Sequence, residues 1–367
     1  MKIAIVVPYV HKIEGNRLAF SLARALSRLN SVTLFIHTIT QRTKESVEDY
    51  IRPAELKYIK IIDQGHFGVR FSLNYQFLRK KAKELAKFIT DNGEYDIVFV
   101  IANEGHWLPQ YIKKNSRAKV LLLVMELHDH GVVSMERYPE KNSMLRNIVF
   151  SPFYGFLKFF ERSRFEEFDG FFANSTWTKT LFEYLYGLYV QDVLYVIDTD
   201  LFKPGEPYTA DKYIAVPTVS LSSDINGREM VKRLAKDGIP LVAYGPLNLE
   251  GVKNLGYLDE NTMVKVLSGA SATLFLYNYE ALGLIPFESL ACGTPVITYN
   301  KQGPSLELAG NENVTFISTY EELLDACRKA LEREKDNEIK ESCRTSVIRF
   351  SPENVGERLE KDLQKFL

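Results

Sequence analysis

The chain reads as an α/β protein built from two doubly wound domains with parallel sheets, and three observations predict this. Short β-branched runs alternate with longer amphipathic ones along most of its length, the pattern of strands covered by helices. Its 367 residues are long for one core and comfortable for two. The periodicity is interrupted at Asp198 to Pro207, where two prolines and a glycine mark a hinge.

Taken in order, Ile3 to Val7 is a continuous apolar strand, followed by a loop and a helix from about Asn16 to Leu29. Val32 to Ile36 is the next strand. Phe77 to Thr90 has helical spacing, and Asp96 to Ile101, Lys119 to Met125 and Gly170 to Ala173 are buried strands. Thr178 to Tyr186 is helical and Val193 to Ile197 a short strand. The second domain has strands at Tyr213 to Val216, Leu241 to Tyr244, Ala272 to Tyr279 and Pro295 to Tyr299. Its helices fall at Arg228 to Lys236, Asn261 to Ser268, Leu284 to Cys292 and Glu321 to Glu334. A charged amphipathic helix, Glu353 to Leu367, closes the chain. The expected domains are therefore residues 1–203 together with 351–367, and residues 204–350. Ligands of open α/β sheets bind beyond the carboxyl ends of the strands, so a cleft facing both sheets is the expected site.

Charge is balanced, with 46 Lys and Arg against 47 Asp and Glu, which argues against a nucleic-acid partner. Cys292, Cys327 and Cys343 have no metal-ligand spacing and suit a reducing compartment. The N-terminus enters a strand directly, without the pattern of a signal peptide, and no apolar run reaches the ~20 residues of a spanning helix. A cytoplasmic location is expected.

The most informative segment runs from Glu280 to Ile297. Glu280 and Glu288 stand eight positions apart, one after an apolar strand and the other in the first turns of a helix. Pro286 suits an early helical position, where its missing N–H costs nothing. Gly283 permits a tight turn, so the amides of Gly283, Leu284 and Ile285 face outward at a helix N-terminus, a ready site for an anion. Amides for a phosphate and carboxylates for paired hydroxyls are the needs of a sugar-nucleotide site.

Residues 280–297 resemble the E-x7-E segment of retaining glycosyltransferase family 4, which has the GT-B fold. Other signals follow in that family's order: Pro8 with Gly15, Phe171 to Trp177 with Asn174 and Ser175, Val196 to Pro204, Gly303 with Glu307, and Phe350-Ser351 before a closing helix. The resemblance implies two Rossmann-like domains facing a cleft, with the last helix returning to the N-terminal domain. It also implies metal-independent, cofactor-free transfer from a nucleotide-diphosphate sugar to a glycan or lipid-linked acceptor, with retention of configuration. Glu280 would contact the transferred sugar, Glu288 the ribose, and Gly283, Leu284 and Ile285 the diphosphate. Gly15 would serve the donor from the first loop, and Tyr257 lies where relatives hold the base. His128 or His130, after Lys119 to Met125, would stand near the sugar, with His128 favoured; a solvated turn is the simpler reading of either alone.

The chain departs from that family after the first strand of the second domain. Thr218 and Asn226 occupy the places of the basic pair that neutralises the diphosphate, and Arg228 or Lys232 are the candidates to replace it. A degenerate GT-B protein that binds a nucleotide or glycan and regulates a partner is therefore the alternative. A nicotinamide dehydrogenase is disfavoured, because the first loop lacks G-x-G-x-x-G. Phe150 to Phe168 holds seven phenylalanines, and Arg79 to Lys87 forms a basic amphipathic helix. Core packing and a solvated face explain them, while peripheral membrane contact is the functional alternative.

Overall fold

The computed structural model describes residues 1–10, 17–62, 75–101, 107–125, 159–222, 224–277, 280–334 and 336–367. The described residues form two compact units, one from 1–196 with 352–367 and the other from 197–351.

In the first unit a seven-stranded sheet runs in the order β3-β2-β1-β4-β5-β6-β7. Its strands are β1 (Lys2–Val10), β2 (Ser31–Thr40), β3 (Glu55–Ile62), β4 (Ile97–Ile101), β5 (Lys119–Val124), β6 (Gly170–Ala173) and β7 (Asp192–Val193). Every pairing is parallel. The uninterrupted Ile3-Ala-Ile-Val-Val7 run is explained by burial on both faces, since none of these residues exceeds 2% exposure.

The helices of this unit are α1 (Arg17–Leu26), α2 (Gln41–Tyr50), α3 (Tyr75–Asp91), α4 (Leu108–Ile112), α5 (Thr176–Tyr186) and α12 (Pro352–Gln364), with which the chain returns. One face of the sheet packs on α3, α4 and α5 through Ala4, Val6, Leu85, Ile112, Leu122 and Phe182. On the other side α1 packs against α12. That packing depends on close approach: a Cβ on Gly356 would stand 2.9 Å from the Ala25 carbonyl oxygen. Arg358 pairs with Asp192 at 3.0 Å, and Asn30 donates to Glu360.

In the second unit six parallel strands run in the order β10-β9-β8-β11-β12-β13. They are β8 (Ile214–Pro217), β9 (Leu241–Tyr244), β10 (Lys253–Asn254), β11 (Ala272–Phe275), β12 (Val296–Tyr299) and β13 (Val314–Ile317). The helices are α6 (Ile225–Lys236), α7 (Glu260–Gly269), α8 (Leu284–Ala291), α9 (Gln302–Glu307), α10 (Tyr320–Glu332) and α11 (Asn337–Val347). Strand order reverses between β8 and β11, which creates a crevice beyond their carboxyl ends. Thr218 and Leu276 begin the loops that leave those two ends.

Several elements lie outside the sequence expectation. α2, β3, α4, β10, α9, β13 and α11 are short or mixed in polarity, and their periodicity is weak. The strand expected from Ala272 to Tyr279 ends at Phe275, and the one expected from Val193 to Ile197 is only Asp192–Val193. Apolar character continues past both ends because Leu276, Tyr277 and Leu194 to Ile197 stay buried beyond the last strand residues. Among the described residues no helix is long and apolar enough to cross a membrane.

Candidate functional site in the second unit

The loop from β11 to α8 places Glu280 and Gly283 at the switch point. Gly283 is the residue before α8 and has φ +68°, a conformation that favours glycine. A Cβ there would also lie 2.9 Å from the Phe275 ring and 3.1 Å from Cγ of Glu280. Glycine is thus required twice, by the turn and by the carboxylate side chain folded against it.

Most helices of this unit begin with a side-chain cap. Asp224 caps α6, Asp259 caps α7, Thr319 caps α10 and Asp336 caps α11, each accepting a backbone N–H. α8 begins at glycine and, like the short α9, has no such cap. Its first amides therefore lack a side-chain cap, at the end of the helix where partial positive charge gathers. Leu284 and Ile285 are half-buried in its first turn, while Glu288 is 2% exposed one turn further along.

A second glycine holds this loop from behind. Gly303, in α9, donates its N–H to the Glu280 carbonyl at 3.2 Å. A Cβ on Gly303 would fall 1.9 Å from the Ala281 oxygen, so the two backbones touch directly. Tyr277 adds a further tie by donating its hydroxyl to the Lys301 carbonyl. Burial, with the negative charge of Glu280 as a smaller cause, pushes the Tyr277 phenol above its usual range. Tyr299 packs edge-on against Tyr277 at 5.8 Å, and its phenol is likewise raised, by burial and then by Asp224.

The loop after β8 has a different character. Thr218 is fully buried; its hydroxyl donates to the Tyr244 carbonyl at 3.0 Å and accepts from the Leu247 N–H at 3.1 Å. It secures β8 to the loop after β9. Asn226 is exposed at the start of α6. Lys232 is paired with Glu229 at 2.7 Å. Arg228 is half-buried in the first turns of α6, and its Nε is enclosed without a hydrogen-bond partner. Tyr257, after β10, is 73% exposed.

Among the sequence candidates, Glu280, Gly283, Leu284, Ile285 and Glu288 are therefore brought together on one loop and helix. Arg228 and Tyr257 lie on other elements of the same unit. Gly15, His128 and His130 lie outside the described residues, as do residues 150–158 of the phenylalanine-rich stretch. Within the rest of that stretch Phe165 and Phe168 are buried in the core of the first unit, while Phe159 is exposed. Asn174 and Ser175 follow β6, where Ser175 caps α5 by accepting the Thr178 N–H at 3.1 Å. Sequence reading missed Lys301, Tyr277 and Tyr299; the signal for them was their place at the ends of predicted strands.

The architecture matches solved structures over the whole chain. Sucrose-phosphate synthase from Thermosynechococcus elongatus superimposes with a TM-score of 0.73 at 15% identity, covering 99% of this chain and 98% of that one. HepE of Anabaena, in complex with UDP and glucose, gives 0.69 at 16% identity, with both chains fully covered. The fold is GT-B. A glycosyltransferase from Rickettsia africae has the same GT-B likeness, with a TM-score of 0.69 at 15% identity and coverage of 100% and 98%. Residues 243–345 match the family described as glycosyl transferases group 1, a span that contains the whole β11–α8 loop. No curated protein matches the chain by sequence.

Proposed function

We propose that this GT-B protein is a retaining glycosyltransferase that moves a sugar from a nucleotide-diphosphate sugar to a glycan or lipid-linked acceptor. The observation that carries the reading is the uncapped N-terminus of α8 beside Glu280, inside the span that matches the group 1 glycosyl transferases. The UDP-and-glucose complex of HepE, which has this fold, supports the same class of donor.

In this reading the α8 amides hold the distal phosphate, and they stabilise it as the bond to the sugar loosens and negative charge grows on the leaving group. Such donors act through preorganisation, because they need no reorientation during the reaction. Glu280 accepts from the sugar's hydroxyls, Glu288 serves the ribose, and Tyr257 stands on the base side. The family resemblance adds His128 and Gly15 to the donor site. The acceptor hydroxyl attacks from the face the leaving group departs, and the phosphate takes its proton, so configuration is retained. No metal or cofactor is required, and the protein works in the cytoplasm, with peripheral membrane contact where the acceptor is lipid-linked.

The second reading, a GT-B protein that binds but does not transfer, is favoured by one observation: the buried Thr218 hydroxyl is committed to Tyr244 and Leu247, where a cation was expected. Purified protein incubated with UDP-, GDP- and ADP-sugars separates the two. Release of nucleoside diphosphate, with an acceptor product of unchanged anomeric configuration by NMR, is expected from the enzyme. Binding in a thermal-shift assay without release would leave the non-catalytic reading. Neither binding nor release would overturn both.

A further inference from the structure

The negative charge at this site exceeds what its backbone supplies. A sugar diphosphate brings two charges, and Glu280 adds a third beside them. A helix N-terminus contributes only about half a positive charge. Thr218 and Asn226 add none, Lys232 is already paired with Glu229, and Arg228 is half-buried with its Nε enclosed.

Lys301 lies next to the loop that enters α8. It follows β12, the strand beside β11, and directly precedes α9. Its carbonyl accepts from the Tyr277 hydroxyl, and two residues later Gly303 bonds to the Glu280 carbonyl. The backbone of Lys301 is therefore tied to the loop that enters α8. Its ammonium lies over the Tyr299 ring at 4.5 Å and the Tyr277 ring at 5.8 Å. The residue is exposed, and no carboxylate among the described residues pairs with it. Aromatic faces hold a cation without neutralising it, so the charge stays available to a ligand.

We propose that Lys301 is the cation that binds the donor's distal phosphate, in place of the basic pair expected at Thr218 and Asn226. This inference rests on the sugar-nucleotide reading above and names the residue that makes the diphosphate acceptable. The tyrosine faces fix the ammonium near the loop, while the α8 amides bind the same phosphate from the helix axis.

The test measures binding of a nucleoside, its monophosphate and its diphosphate to the full chain by calorimetry, using the base preferred in a thermal-shift screen. For the native protein the diphosphate binds more tightly than the monophosphate. In Lys301→Gln that gain shrinks by about ten- to a hundredfold, the range for a hydrogen bond to a charged group. Nucleoside affinity and thermal stability stay unchanged, and Lys301→Arg restores most of the gain. A full gain in Lys301→Gln, or its loss in Arg228→Gln instead, overturns the assignment to Lys301. A native protein that binds no diphosphate at all sinks the glycosyl-transfer reading itself, a result distinct from either.

Discussion

Replacing Gly303 by alanine tests the contact that holds the site together. The added Cβ would lie 1.9 Å from the Ala281 oxygen, 2.3 Å from its carbonyl carbon and 2.6 Å from the Glu280 oxygen. All three are backbone atoms, so no side chain can rotate away. Restoring ordinary contact requires α9 and the Glu280 loop to separate by roughly 1.5 Å, which also breaks the 3.2 Å hydrogen bond from the Gly303 N–H. Overpacking of this kind costs about 1–3 kcal/mol, and the lost bond about 1 kcal/mol more. Displacement on this scale at a reacting centre lowers turnover by about a hundredfold. The assay is denaturant unfolding together with nucleoside-diphosphate release from the preferred sugar donor. Gly310→Ala is the control: its φ is +77° and nothing lies within 4 Å, so it is strained by about 1–2 kcal/mol without touching the loop. Gly310→Ala should lose stability and keep its turnover per folded molecule, whereas Gly303→Ala should lose both. Full turnover in Gly303→Ala would refute the claim that this contact positions Glu280.

Three further outcomes are expected. Glu280→Ala should abolish transfer while leaving the unfolding midpoint close to native; transfer at the native rate would remove Glu280 from the site. Arg344 donates to the carbonyls of Thr199, Phe202 and Ala291 at 3.0, 3.1 and 3.2 Å, all within the second unit. Arg344→Met should therefore cost about 2–3 kcal/mol in denaturant unfolding, and a change under about 0.5 kcal/mol would show that water replaces those bonds. His37 is buried in β2, and desolvation lowers its pKa although Glu84, 3.0 Å from Nε2, opposes the shift. The unfolded chain then binds a proton below about pH 6.5 that the folded chain does not, so stability falls as pH drops through that value. His37→Asn should flatten that slope between about pH 7 and 5, and an unaltered slope would assign the acid sensitivity elsewhere.

How much of this is legible in the sequence depends on the range of each interaction. Buried parallel strands announce themselves: Ile3 to Val7, Val120 to Val124 and Leu241 to Tyr244 are continuous apolar runs because both faces of each strand are covered. The Glu280–Glu288 spacing, Gly283 and Pro286 describe one loop and one helix, and those are local features. β3 and β13 are not legible because they lie at sheet edges, where one face stays open and polar residues interrupt the run. α11 is hidden because its buried face is narrow, with Ile339, Cys343 and Val347 among mostly polar positions.

The sequence by itself determined the α/β class, the helix that follows Glu280 and the glycine that opens it, since each rests on residues within a turn or two of one another. Tertiary structure decided the rest of the site. Only the parallel pairing of β11 with β12 sets Tyr277 beside Tyr299, and only the approach of Gly303 to Ala281 brings Lys301 toward the Glu280 loop. Packing also closed Thr218 away, through bonds to Tyr244 and Leu247 more than twenty residues distant. Contacts across such separations depend on sheet order and side-chain packing, which a one-dimensional pattern does not encode.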